Sequence, residues 1–228
     1  LQEYFAAGAL TTGDEELVAQ RLEVVARAAY WRNVVVFAVG RVMDDLSPLM
    51  QERATVGLCR LLDTPGPDPL DGVAYPGALL ALDLLADGAV LAVPRLARAV
   101  AEHSLHTLEL PTPRSTASVQ RLAKVLCDPF TADGAETVEI LWRRIDKLLD
   151  DKERSIAAWT AAFELGRQRN DLLHIIRARW PLDASARLAI LDSVGSIPAW
   201  VVELVRQQVG DFEPRDYGRV AWVLLSGG

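Results

Sequence analysis

The sequence predicts an all-α fold: stacked helical hairpins in a HEAT-like or irregular α-solenoid. Three observations predict it. Apolar residues recur at the helical period through most segments. Capping residues and prolines stand where helices would begin, as at Ser47-Pro48, Pro94 and Pro198. No convincing strand alternation of apolar and polar residues is present. Helix pairs of about 30 to 45 residues fall in the range of HEAT-like units, without a visible repeat consensus.

The elements follow in order. Leu1 to Leu10 reads as a helix entering from upstream, with Leu1, Phe5 and Gly8 or Ala9 on one face. Thr12 to Glu15 has the form of a capping box, Thr12 capping and Glu15 returning to its amide. Leu17, Val18, Leu22 and Val25 form the stripe behind it. Tyr30 to Met43 is ambiguous. The run Val34–Val39 is rich in β-branching and could be a buried strand. Trp31, Val35, Ala38 and Val42 recur at helical spacing, however, and the segment is expected to be a buried helix.

Ser47 caps a helix with Pro48 at its first position and Met50, Ala54, Leu58, Leu61 and Leu62 inward. Asp63 to Pro69 holds three prolines and a glycine, the clearest loop in the chain. Further helices run from Pro76 to Ala86, from Pro94 with Leu96, Ala97, Val100 and Leu105 inward, and from a cap at Ser115 to Leu126. Val138, Leu141, Trp142, Ile145, Leu148 and Leu149 form a strong stripe on the next. Ile156, Trp159, Thr160 and Phe163 line another. Short helices start at Asn170 and Pro181. Pro198 opens a helix carrying Trp200, Val201, Leu204 and Val205, and Pro214 opens the last, with Tyr217, Val220, Ala221 and Leu224.

Composition excludes several function classes. Half of the 228 residues are hydrophobic, enough for a substantial core. The net charge of −7 disfavours general nucleic-acid binding, because an acidic chain repels phosphate backbones. No apolar run approaches the ~20 residues that span a bilayer, and no signal peptide is expected. Cys59 and Cys127 lie far apart in apolar helical patterns and read as free thiols of a reducing cytoplasm. The chain starts inside a helix without a start signal, so it is expected to belong to something longer.

Few residues carry chemistry. His103 and His106 lie one helical turn apart, near Glu102 and Glu109, a spacing that suits a metal site. The full metalloprotease pattern is absent, and a polar helix face is the expectation. His174 reads as a structural histidine. No phosphate loop and no nucleophile elbow occur, so neither a catalytic residue nor a cofactor is assigned. Arg143, Arg144, Lys147, Arg167, Arg169, Arg177 and Arg179 could form a basic ridge, but nearby acids make a solvated, balanced face the plainer expectation. Six tryptophans stand in helical context. Trp180 and Trp200 lie near helix ends and are candidates for a partner interface.

The stretch Leu1-Gln2-Glu3-Tyr4-Phe5-Ala6-Ala7 resembles the exit from the winged helix of a NACHT-type STAND signalling ATPase. Gln2, Glu3 and Tyr4 match a Gln-Glu-Tyr-like segment that starts the next helix in that family. Trp31-Arg32-Asn33-Val34 is similar to its Trp-Arg-Glu-Val pattern, with Asn33 in place of the usual Glu. The resemblance covers residues 1–45 and implies a helical segment following a nucleotide-binding module. Residues 46–228 would then be a continuous sensor or scaffold region. It implies partners in the upstream nucleotide-binding and winged-helix modules, an unknown protein or small-molecule ligand, and a place in the bacterial cytoplasm. Gln2, Glu3, Tyr4, Phe5, Trp31 and Arg32 become interface candidates. A free-standing HEAT-like scaffold and an all-α metal-dependent enzyme using His103 and His106 are the alternatives.

Overall fold

A computed structural model describes residues 2–64, 75–109, 116–128, 134–151, 154–181, 183–194 and 197–226. Every regular element among them is helical, so the chain is all-α. It divides into two compact units. The first comprises Leu1–Leu110 and Val125–Leu141, the second Pro111–Lys124 and Trp142–Gly228. The expected change of character at residue 45 falls inside the first unit.

The first unit begins with α1 (Gln2–Leu10), α2 (Glu15–Val25) and α3 (Arg32–Asp45). The buried side of α1 centres on Ala7, and Phe5 points outward. Small residues let α1 lie close against α3, which is why Ala7 rather than the larger Phe5 faces inward. The capping residue of α2 is Asp14, not Thr12. Asp14 Oδ1 accepts from Leu17 N at 2.9 Å. Thr12 Oγ1 instead donates to Gly8 O at the end of α1, at 2.8 Å.

Glu15, freed from the expected capping box, reaches across to Ser47. Its carboxylate accepts from Ser47 N at 2.8 Å and from Ser47 Oγ at 2.6 Å. These two donors hold the Glu15 carboxyl below its ordinary value of 4.5. A depressed folded-state value contributes stability above the unfolded value, lost as pH falls through the folded one. Glu15→Gln is therefore expected to lower the melting temperature at neutral pH, and the gap from wild type should narrow as the pH falls below the ordinary value of 4.5. A gap that stays constant over that range would contradict the charge-assisted origin.

The valine run is helical. In α3 the side chains of Val34, Val35, Val36, Ala38, Val39 and Val42 are all buried. A valine costs a helix about 0.5 kcal/mol, whereas burying one gains about 1.5 kcal/mol or more. Burial on more than one side outweighs local preference. Trp31 ends a 3-10 turn (Ala29–Trp31) ahead of α3 and is not part of its inward stripe.

Ser47 caps α4 (Pro48–Glu52), its Oγ accepting from Met50 N, with Pro48 at the first position. A π-helical turn (Arg53–Gly57) joins α4 to α5 (Leu58–Asp63). Arg53 ties this turn to α2 through Glu16 at 2.7 Å and Glu23 at 2.9 Å. The loop expected from Asp63 to Pro69 lies, beyond Thr64, outside the described residues. Next comes α6 (Pro76–Asp87), apolar on nearly every side, with Leu80, Leu82, Leu84 and Leu85 buried. Gly88 ends it in the left-handed conformation (φ 83°). Then α7 (Pro94–Ser104) packs on α6 with Leu96, Ala97 and Val100 inward, followed by a 3-10 turn (Leu105–Glu109) with Leu105 buried.

The residues of α8 (Thr116–Cys127) and α9 (Gly134–Leu148) divide between the units. The cap expected at Ser115 lies outside the described residues. The stripe expected on α9 is buried at Val138, Leu141, Ile145 and Leu148, and half-buried at Trp142.

The second unit is built around α10 (Ser155–Gln168), in which every residue from Ala157 to Gly166 is buried. It continues through α11 (Leu173–Ala178), α12 (Ala184–Ser193), α13 (Ala199–Gln207) and α14 (Tyr217–Ser226). On α14 the buried residues are Val220 and Val223, while Tyr217 and Ala221 face outward. Arg187 is buried but satisfied: Nε donates to Pro181 O at 2.7 Å and Nη1 pairs with Asp211 at 3.0 Å.

Candidate functional site

Two places in the first unit gather the residues that the sequence singles out. One is the side where α1 meets α3. Glu3 Oε1 accepts from Asn33 Nδ2 at 3.1 Å. That bond joins the Gln2-Glu3-Tyr4 segment to the Trp31-Arg32-Asn33-Val34 segment, about 30 residues apart in sequence. Gln2, Tyr4, Phe5 and Trp31 are all exposed there, Tyr4 at 54 % and Phe5 at 66 %. Tyr4 and Phe5 meet edge to face with ring centroids 6.2 Å apart, and Tyr30 lies 5.6 Å from Trp31.

Arg32 behaves differently from its neighbours. Its guanidinium turns inward, pairs with Asp83 of α6 at 3.2 Å and lies 3.4 Å from Pro76 O. It fastens α3 to α6 and is largely used up inside the unit. Arg41, which the sequence reading missed, lies over the Tyr4 ring at 5.6 Å. Nothing local marks Arg41, because its partner is 37 positions away and the contact is purely tertiary.

The second place surrounds Asp63 and His103. Asp63 Oδ1 accepts from Gly77 N at 2.6 Å and Oδ2 from Ala78 N at 3.0 Å. The carboxylate thereby satisfies two open amides at the start of α6, where the helix dipole also favours it. His103 Nε2 donates to the same Oδ2 at 2.8 Å. Both side chains are about nine-tenths buried. His106 stacks on His103, with centroids 5.1 Å apart and planes 22° off parallel. Tyr75 adjoins His106 at 5.7 Å and holds a left-handed backbone (φ 42°), which is costly for a residue with a side chain.

A stacked imidazole pair aims its nitrogen lone pairs along near-parallel planes, not at a shared point. One nitrogen of His103 is already engaged with Asp63. Among the described residues no group of three His, Cys, Asp or Glu side chains could hold a metal ion. Asp63, His103 and His106 thus join the end of α5, the start of α6 and the end of α7. The sequence reading took Asp63 as loop and missed this role. Cys59 is fully buried, and that burial pushes its thiol well above the ordinary value, so the group is inert as a nucleophile.

In the second unit the two tryptophan candidates part company. Trp180 is only 7 % exposed and packs edge-on against Trp159 at 5.3 Å and Trp200 at 6.2 Å. It belongs to the core and not to an exposed interface, because the turn before Pro181 folds its ring back onto α10. Trp200 is half-buried, with Arg177 over its ring at 5.6 Å. Three cations of the expected basic ridge are engaged with acids: Arg179 with Asp146 and Asp150, Arg167 with Glu164, Arg169 with Asp171. A cleft of about 500 Å3 lies beside α12, lined by Asp183, Asp211, Glu213, Asp216, Arg215 and Arg219. Its carboxylates are occupied. Asp183 caps α12, Asp211 holds Arg187, Glu213 pairs with Arg215, and Asp216 with Arg219.

No helix among the described residues is long and apolar enough to cross a membrane. Comparison of the chain with known protein families, with curated proteins and with solved structures finds no match in any of the three.

Proposed function

We propose that the chain is a non-catalytic helical regulatory or sensing region of a NACHT-like NTPase. In this reading it passes the binding of a ligand or partner to a nucleotide switch, in bacterial signalling or defence, within the cytoplasm. One observation carries the proposal. The two segments that resemble the NACHT exit meet through the Glu3–Asn33 hydrogen bond and leave Gln2, Tyr4, Phe5 and Trp31 open to a neighbouring module. Asn33, the departure from the family pattern, supplies the amide that donates to Glu3, a bond that the usual Glu would not make.

The proposed mechanism is mechanical. Helix α1 would be held by the upstream winged helix, and stacked HEAT-like hairpins behind it would transmit a shift. Such coupling needs two packed arrangements that differ in affinity for the ligand. The coding sequence upstream of Leu1 tests the reading. An in-frame phosphate loop, Gly-x-x-x-x-Gly-Lys-Ser/Thr, is the expected finding, and a start codon directly before Leu1 would overturn it. The chain by itself is expected to show no nucleotide turnover in a phosphate-release assay; robust hydrolysis would equally sink the proposal.

A further inference from the structure

We propose that the side of the first unit formed by α1 and α3 docks a protein segment carrying a carboxylate between apolar or aromatic side chains. The inference deepens the reading of this side as the one that meets a neighbouring module by naming the chemistry it takes; its binding test is independent of whether an NTPase lies upstream. It starts from Arg41. The guanidinium lies over Tyr4 and its Nη1 comes within 3.5 Å of where a Cβ on Gly8 would sit. Among the described residues Arg41 has no hydrogen-bond or ion-pair partner, and its Nε is buried without an acceptor. Asp44 and Asp45 follow on the next turn of α3, yet neither pairs with it.

That isolation is unusual in an acidic chain with 31 carboxylates against 24 Lys and Arg. Arg32, Arg53 and Arg95 of the unit are matched, with Asp83, with Glu16 and Glu23, and with Glu52. Among the described residues Arg27 and Arg60 lack an ion pair but are exposed to water, whereas Arg41 has a buried Nε without an acceptor. A fixed guanidinium presents a planar fork that fits a carboxylate with two parallel hydrogen bonds. The groups around it are aromatic. Phe37 shares a face of α3 with Asn33 and Arg41, one turn from each, and is 39 % exposed. Tyr4 and Phe5 stand opposite on α1. Exposed Tyr and Phe beside an Arg are among the residue types enriched at protein interfaces. Apolar rings would bury the partner's apolar side chains and dry the Arg41 pair. The unsatisfied Arg41 guanidinium selects a carboxylate over a cation at that point of the surface, against the acidic balance of the chain as a whole.

The test is selection of random peptides on the immobilised folded chain, followed by affinity measurement on synthetic versions. Expected sequences carry Asp or Glu within a few residues of Trp, Phe or Leu. Arg41→Gln should weaken them about tenfold or more. Phe5→Ser, at a largely exposed position, should also weaken them while leaving the melting temperature unchanged, which separates binding from folding. Arg41→Glu should favour versions in which the acid is replaced by Lys. Enrichment of basic peptides, failure to enrich any sequence, or equal affinity for wild type and both weakened variants would overturn the proposal. So would self-association of the chain that Phe5→Ser abolishes, since the surface would then serve a second copy.

Discussion

Gly77→Ala is expected to lower the melting temperature of the first unit by roughly 10 °C, the largest effect of any one-carbon change in it. That figure corresponds to a cost of about 3 kcal/mol, at the upper end for overpacking. A Cβ at residue 77 would stand 1.9 Å from Cys59 O, 2.8 Å from Cys59 C and 2.9 Å from Asp63 Cγ. Two of these atoms are backbone of α5, which has no rotamer to escape into. Relief requires α6 to move off α5, and that movement would stretch the Asp63 bonds to Gly77 N and Ala78 N and with them the His103 contact.

Gly40→Ala provides the comparison. It sits inside α3 with nothing within 4 Å of its Cβ direction, so the change should stabilise by about 0.5–1 kcal/mol. Thermal unfolding followed by circular dichroism checks both; equal melting temperatures for the two variants would refute the close-approach argument. Gly166 shows where the rule stops. Its Cβ would meet Leu173 Cδ2 at 2.9 Å and Ile176 Cδ1 at 3.3 Å, both ends of flexible side chains that can give way.

In the second unit Trp159→Ala should cost about 4 kcal/mol, at the large end for a buried aromatic. Trp159 is 1 % exposed on the helix around which that unit is built. Its ring touches Phe163 at 5.6 Å and Trp180 at 5.3 Å, and these in turn meet Trp200. Removing it leaves a cavity whose walls are rigid rings, which collapse poorly and lose edge-to-face attraction as well. Near-ultraviolet circular dichroism should lose much of its aromatic signal, and the denaturation midpoint should fall. Trp31→Ala, at a surface position 38 % exposed, should cost less than about 1.5 kcal/mol. Comparable losses for the two would mean that the aromatic cluster is not the centre of the second unit.

The all-α class was legible because it depends on local quantities. Ser47-Pro48, Gly88 and the stripe Leu96, Ala97 and Val100 behave as spacing and capping rules expect. The failures were of another kind. Thr12 and Glu15 have the capping-box residues, yet Asp14 caps α2, because Ser47 offers Glu15 two donors across the fold. Trp180 was an interface candidate by its place before Pro181, yet three other rings enclose it. Asp63 looked like loop, because its amide and histidine partners come from α6 and α7.

The candidate surface was half legible. Tyr4, Phe5 and Trp31 were found through resemblance, and Arg41 and Phe37 were not. Periodicity in the chain determined by itself that helices form and which side of most of them is apolar, since backbone hydrogen bonding and side-chain direction repeat every few residues. The tertiary structure alone decided which charges meet and that Arg41 keeps a buried Nε without an acceptor. Pairing energies depend on distances between residues far apart in sequence, and no local pattern encodes those distances.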